Sequence, residues 1–103
     1  MTSEDVRRIV EAEIGGEWDR TNLHGCDLPR CLVEPRPMVV RNPFSKRSER
    51  LWLVLEESPG ARDGYGIVYD AADDRFGLAY GDGAGPPIVS GFYRCFLSAF
   101  DGM

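Results

Sequence analysis

The chain has one histidine, His24, and no serine or cysteine set in a nucleophile-elbow pattern, so it offers no recognisable catalytic triad. Its three cysteines, Cys26, Cys31 and Cys95, are an odd number without a disulfide-rich spacing. That excludes a disulfide scaffold and makes a reducing cytoplasm the expected setting. Met1 to Ile14 is charged and lacks the apolar core of a signal peptide, and no apolar run approaches the length of a membrane span. Basic excess is missing too. The net charge is −5 and the pI about 4.8, which argues against nucleic acid as a partner, because phosphate binding needs a basic footprint. The glycine-rich stretch Asp82-Gly83-Ala84-Gly85-Pro86-Pro87 has the wrong pattern for a phosphate loop, and no Lys-Ser/Thr follows it.

What is present is an ordinary globular balance, 43% hydrophobic and 28% charged, in a chain of 103 residues, the size of one domain. The apolar content concentrates between Leu51 and Gly81, which reads as three strands: Leu51–Glu57, Tyr65–Asp70 and Arg75–Tyr80. The first is apolar from Leu51 through Leu55, without the alternation of a strand wetted on one side, so both its faces are expected to be covered. Asp70 and Arg75 enclose four residues, a common hairpin loop length. Placing Asp70 opposite Arg75 pairs Tyr69 with Phe76, Ile67 with Leu78 and Tyr65 with Tyr80. The other face then holds Gly66, Val68, Gly77 and Ala79, and is hollow. A helix packing close on those glycines is the simplest expectation; a small-molecule groove is the alternative. The preceding loop, Ser58 to Gly64, contains the turn pairs Pro59-Gly60 and Asp63-Gly64 and leaves its hairpin's register open.

The flanks read as cover. Thr2-Ser3-Glu4-Asp5 starts a helix that carries Val6, Ile9, Val10 and Ile14 at helical spacing and stops at Gly15-Gly16. Trp18 and Leu23 are expected to tuck against the body. Cys31 to Arg41 reads as a strand with Pro35 and Pro37 on an edge or at a break. Asn42 to Arg50 reads as a polar, basic loop around Phe44. Ile88-Val89 leads into a helix capped by Ser90, with Phe92, Tyr93, Phe96, Leu97 and Phe100 as its apolar stripe and Gly102 as its stop. A short strand at Ile88-Val89 is the other option.

His24-x-Cys26 with Cys31 has a weak zinc-like look, but the spacing is not that of a knuckle and a fourth ligand is missing; no metal and no cofactor is expected. Carboxylates cluster at Glu56/Glu57 and at Asp70/Asp73/Asp74. A pair could do acid–base work only if burial split its pKa values, and these sit at strand ends and in a turn. Asp70-x-x-Asp73-Asp74 lacks the spacing and closing glutamate of a calcium loop. No catalytic residue is assigned.

Four segments together resemble small single-domain bacterial proteins of unknown function, some of them immunity proteins: Leu51-Trp52-Leu53-Val54-Leu55-Glu56-Glu57, Gly64-Tyr65-x-Ile67-Val68-Tyr69-Asp70, Phe76-Gly77-Leu78-Ala79 and Gly91-Phe92-Tyr93-x-x-Phe96-Leu97-x-Ala99-Phe100-x-x-Met103. The resemblance covers about half the chain, from Leu51 onward, and transfers no functional residue. The expected fold is α+β: an antiparallel sheet of four or five strands with an N-terminal and a C-terminal helix packed on it. The expected function is that of a non-catalytic cytoplasmic protein-binding module. The resemblance implies an immunity-type inhibitor of a basic toxin, acting through an acidic, aromatic-bearing surface. Its candidate residues are Glu56, Glu57, Asp63, Asp73 and Asp74. Binding of a small ligand beside Gly66 and Gly77 is the alternative; carboxylate-based hydrolysis or isomerisation is a third reading.

Overall fold

A computed structural model of the chain describes residues 1–59 and 63–103. The order of elements is α1 (Ser3–Ile14), α2 (Leu28–Cys31), β1 (Leu32–Asn42), β2 (Arg47–Glu56), β3 (Asp63–Asp70), β4 (Arg75–Asp82), β5 (Ile88–Tyr93) and α3 (Phe96–Asp101). The fold is α+β. Neighbouring strands pair antiparallel in sequence order, and the sheet closes into a barrel β1-β2-β3-β4-β5. An odd number of staves forces the closing pair to be parallel. It consists of the single bridge Arg41↔Ile88, where the Arg41 amide donates to the Pro87 carbonyl at 2.8 Å.

The expected β3–β4 register holds: Asp70 faces Arg75, Tyr69 faces Phe76, Ile67 faces Leu78 and Tyr65 faces Tyr80. Tyr69 and Phe76 rings pack at 5.0 Å between centroids, as do Tyr65 and Tyr80. Such pairs add roughly 0.2–1 kcal/mol each over alanines. The helices do not cover the hollow face as expected. They cover the padded one. Val6, Val10 and Ile14 of α1 and Phe96, Ala99 and Phe100 of α3 pack on Ile67, Tyr69, Phe76 and Leu78. The hollow face is the barrel interior, filled by Val40, Leu51, Leu53, Val68, Ala79 and Val89. An eight-stranded barrel has about enough lumen for side chains, and five strands leave less. Hence the glycines: a Cβ on Gly77 would sit 3.0 Å from Val68 Cγ2 and 3.1 Å from Phe92 Cε1.

β2 is buried on both faces, and a bulge explains how. Leu53 pairs with Val68 but Leu55 with Ile67, so the strand shifts register across Val54. Leu51 and Leu53 point into the barrel while Val54 and Leu55 join the helix-side core. The strand also starts earlier than expected. Residues 42–50 are a hairpin: Asn42 Oδ1 accepts from the amides of Phe44 (2.9 Å) and Ser45 (3.3 Å), Lys46 turns at φ +59°, and β2 resumes at Arg47. Arg47 to Arg50 has no apolar alternation to announce a strand; pairing with β1 overrides that.

The N-terminal helix starts as expected, with a full capping box. Asp5 N–H donates to Thr2 Oγ1 (3.2 Å) and Thr2 N–H to Asp5 Oδ2 (2.8 Å), a bond that holds the Asp5 carboxyl below its ordinary pKa. Gly15 caps the other end. The C-terminal helix is shorter than expected. Ile88 to Tyr93 is spent as β5, and Ser90 is no N-cap: its hydroxyl donates to the Leu78 carbonyl at 3.1 Å, beside the β4–β5 bulge. Cys95 is the N-cap residue, and the Phe96 amide donates to Glu13 Oε1 of α1 at 2.8 Å. Of the two residues expected to tuck in, Leu23 is 98% exposed and Trp18 is exposed as well. Among the described residues, no helix is long and apolar enough to cross a membrane.

Candidate functional site: the barrel seam

The expected acidic residues do not form one surface. Glu56 is buried, at 6% exposure, with Arg36 Nη2 3.5 Å from its Oε1. It pairs across the sheet with Gly66 at the end of β2, where β1 brings Arg36 to it. Glu57 holds the loop before β1: Oε1 accepts from the Tyr65 amide (3.0 Å), and Oε2 lies 3.1 Å from His24 Nδ1. Asp63 opens β3 opposite Asp82, while its side chain lies outside the described residues, as does part of the Ser58–Gly64 loop. Asp73 is exposed and sits 3.4 Å from Arg75 Nη2. Asp74, at φ +49°, accepts from the Tyr69 hydroxyl at 2.7 Å. Tyr65 and Asp70 are five residues apart on β3, so the two acidic groups lie roughly 16 Å apart along the strand, at opposite ends.

These carboxylates are mostly spent on holding turns. Asp70, also buried, accepts from Arg75 Nε (3.0 Å) and from the Ala72 amide (3.1 Å). The Arg75 guanidinium then lies over the Phe92 ring at 3.6 Å. Burial and the Asp74 partner push the Tyr69 hydroxyl up to about 12. Cys26 and Cys31 are buried, and burial pushes the Cys26 thiol up to about 11, away from nucleophile chemistry. The Cys31 thiol donates to the Glu57 carbonyl at 3.7 Å. No cluster of three or more metal-ligating side chains occurs among the described residues.

The space at the hollow face, beside Met38, Leu53, Gly66 and Val68, measures about 30 Å³. That is room for a water or two, against roughly 300–1,000 Å³ for a small-molecule site.

The larger concavities lie outside, along the seam where β5 meets β1. One groove of about 430 Å³ runs between Arg36–Val39 and Gly83–Pro87. A second of about 440 Å³ is bounded by Arg41, Tyr80, Asp82, Pro86 and Ile88. A third of about 380 Å³ lies between Arg41, Pro43, Lys46, Arg47 and Ile88. The strand register explains why they are contiguous. Tyr65 pairs with Tyr80, Tyr80 with Ile88, Ile88 with Arg41 and Arg41 with Ser48, so one outward row crosses five strands. Val39 shares the outward face of β1 with Arg41, and Arg50 faces it from β2. Tyr80 is 52% exposed, Ile88 and Val39 48% each, and Phe44, against Phe92 at 6.3 Å, is 66% exposed.

No family model, curated protein or solved structure matches the chain. The seam is therefore read from its own geometry. The row was missed in the sequence because it is assembled from five strands, and its only early sign was the basic stretch around Phe44. It presents apolar side chains next to cations on a closed, hydrogen-bonded frame. That combination suits contact with a macromolecular surface.

Proposed function

We propose that the chain is a non-catalytic protein-binding module working in the cytoplasm, with an immunity-type inhibitor, which occludes its target by steric cover, as the specific form. The exposed belt of Val39, Ile88 and Tyr80 on the barrel seam supports the reading most directly. Isolated exposed apolar residues are ordinary, but a row of them beside open grooves is the usual mark of an interface. Tyrosine suits such a place, with an apolar ring and a polar tip. The reading keeps the aromatic-bearing surface of the expected inhibitor, while Glu56, Glu57, Asp73 and Asp74 are engaged by partners within the chain.

The test is co-expression with each reading frame adjacent to this one in its source genome. A stoichiometric complex that survives size exclusion, and that Tyr80→Glu with Ile88→Glu disrupts while the circular dichroism is unchanged, is the expected result. If no neighbour associates, and growth with a toxic neighbour is not restored, the reading is refuted.

A further inference from the structure

Charge is unevenly spread over this molecule. From residue 36 to residue 50 the chain carries Arg36, Arg41, Lys46, Arg47 and Arg50 against the single acid Glu49. Five cations and one acid make +4, which leaves −9 for the remainder of a chain whose total is −5.

The salt bridges among the described residues bypass most of this stretch. Glu4, Glu17, Glu34, Glu56, Asp70, Asp73 and Asp101 all lie in salt bridges with arginines. Among the described residues, Arg41, Lys46, Arg47 and Arg50 form none. Glu49, the acid closest to them in sequence, is engaged by Asn42 Nδ2 at 2.5 Å and by Ser45 Oγ at 3.0 Å. These unpaired cations flank the apolar row: Arg50 opposite Val39, Arg41 opposite Ile88, and Lys46 and Arg47 across the groove from Ile88.

We propose that this belt binds an acidic segment of a partner protein, its carboxylates against Arg41, Lys46, Arg47 and Arg50 and its interspersed apolar side chains on Ile88, Tyr80 and Val39. The proposal rests on the protein-binding reading above and specifies its partner's chemistry, which is the opposite of the basic target that the acidic composition suggests. Docking is by side chains rather than by an added strand. The Arg41 amide points toward β5, and in a strand every second residue points the same way, so Pro37 lies where a donor to an incoming strand would be needed and has none. Pro86 and Pro87 remove two more donors from the opposite wall of that groove.

A polynucleotide fits less well. Along the two grooves Tyr80 is the one ring, set among Val39, Ile88, Pro86 and Pro87, where a strand of stacked bases needs successive rings. The −9 carried elsewhere repels a long polyanion.

The experiment is fluorescence anisotropy with a labelled peptide alternating glutamate and leucine, against the same peptide with lysine for glutamate, at low and physiological salt. The expected result is binding of the glutamate peptide only, weakened by salt. Affinity falls at least tenfold in Arg41→Glu/Arg47→Glu and stays unchanged in Arg30→Glu/Arg94→Glu, which alters the total charge equally away from the belt. Absence of glutamate-peptide binding up to millimolar concentration overturns the proposal, as does equal binding of the lysine peptide. Tighter binding of a labelled oligothymidylate overturns it in favour of nucleic acid. A dimer in sedimentation that the first double variant dissociates overturns it in favour of self-association. If a neighbouring protein forms a complex that Arg41→Glu/Arg47→Glu leaves intact, the belt assignment fails while protein binding stands.

Discussion

Replacing Gly64 with alanine tests how the loop that carries His24 is tied to the barrel. Gly64 stands at φ +85°, and a Cβ there would lie 2.7 Å from Glu57 Oε1. An L-residue held in that backbone region costs about 1–2 kcal/mol. The clash by itself is cheap, because the carboxylate ends a flexible side chain. Its consequence is not: Glu57 Oε1 accepts from the Tyr65 amide at 3.0 Å, and a displaced carboxylate gives up a bond worth about 0.5–1.5 kcal/mol. The two add to about 1.5–3.5 kcal/mol. In a domain of this size that lowers Tm by roughly 6–28 °C, at ~4–8 °C per kcal/mol. Urea denaturation followed by far-ultraviolet circular dichroism reads it directly. A double-mutant cycle with Glu57→Ala separates the parts. With the carboxylate already gone, Gly64→Ala should cost only the backbone strain. A Gly64→Ala protein within about 0.5 kcal/mol of wild type, or strict additivity with Glu57→Ala, would refute the reasoning, since surface substitutions without a specific role fall inside that range.

Three further outcomes follow from other contacts. Thr2→Ala removes the capping box of α1 and should cost about 1 kcal/mol in the same assay, within the 0.5–2 kcal/mol span of such changes; helix content at the N-terminus should fray first. Tyr69 is pushed up to about 12 by burial, above its unfolded value of about 10, so the fold favours the neutral hydroxyl. The stability it contributes is full below about pH 10 and is lost as pH rises toward the folded value, so wild type should lose more stability than Tyr69→Phe over that window, and tyrosinate absorbance should show a late-titrating component that Tyr69→Phe removes. Thiol labelling under native conditions should modify Cys95 alone, because Cys26 and Cys31 are buried; all three should react in denaturant.

The parts of this molecule that can be read from its chain are those fixed by short-range chemistry. The capped helix Ser3–Ile14 is one, since Thr2, Asp5 and Gly15 all act within a turn of it. The β3–β4 register is another, because Asp70 and Arg75 close a loop of four residues and leave no freedom beyond it. What could not be read depends on distant partners. Phe92 and Tyr93 suit a helical stripe and a strand equally; only the need for a fifth stave beside β4 decides. Gly66 and Gly77 mark a place of close approach, but a barrel interior and a helix-covered face leave the same small residues, and the structure has the former. Glu56 looks exposed in sequence because it is a carboxylate, and is buried because β1 brings Arg36 to it. The seam belt unites β1 and β5 through one bridge between Arg41 and Ile88, far apart in the chain, and no local pattern announces it.

That solitary bridge has a dynamic consequence. Every other joint between staves is a ladder of several rungs, while this one is a single hasp, the Arg41 amide on the Pro87 carbonyl. A cylinder so fastened springs open first at the hasp, by a sub-global excursion that leaves the antiparallel ladders intact. The Arg41 amide should therefore exchange with deuterium ahead of its neighbours along the same stave. Whatever lies across both banks of the joint would latch it shut, and its arrival would be recorded as slowed exchange at that one proton.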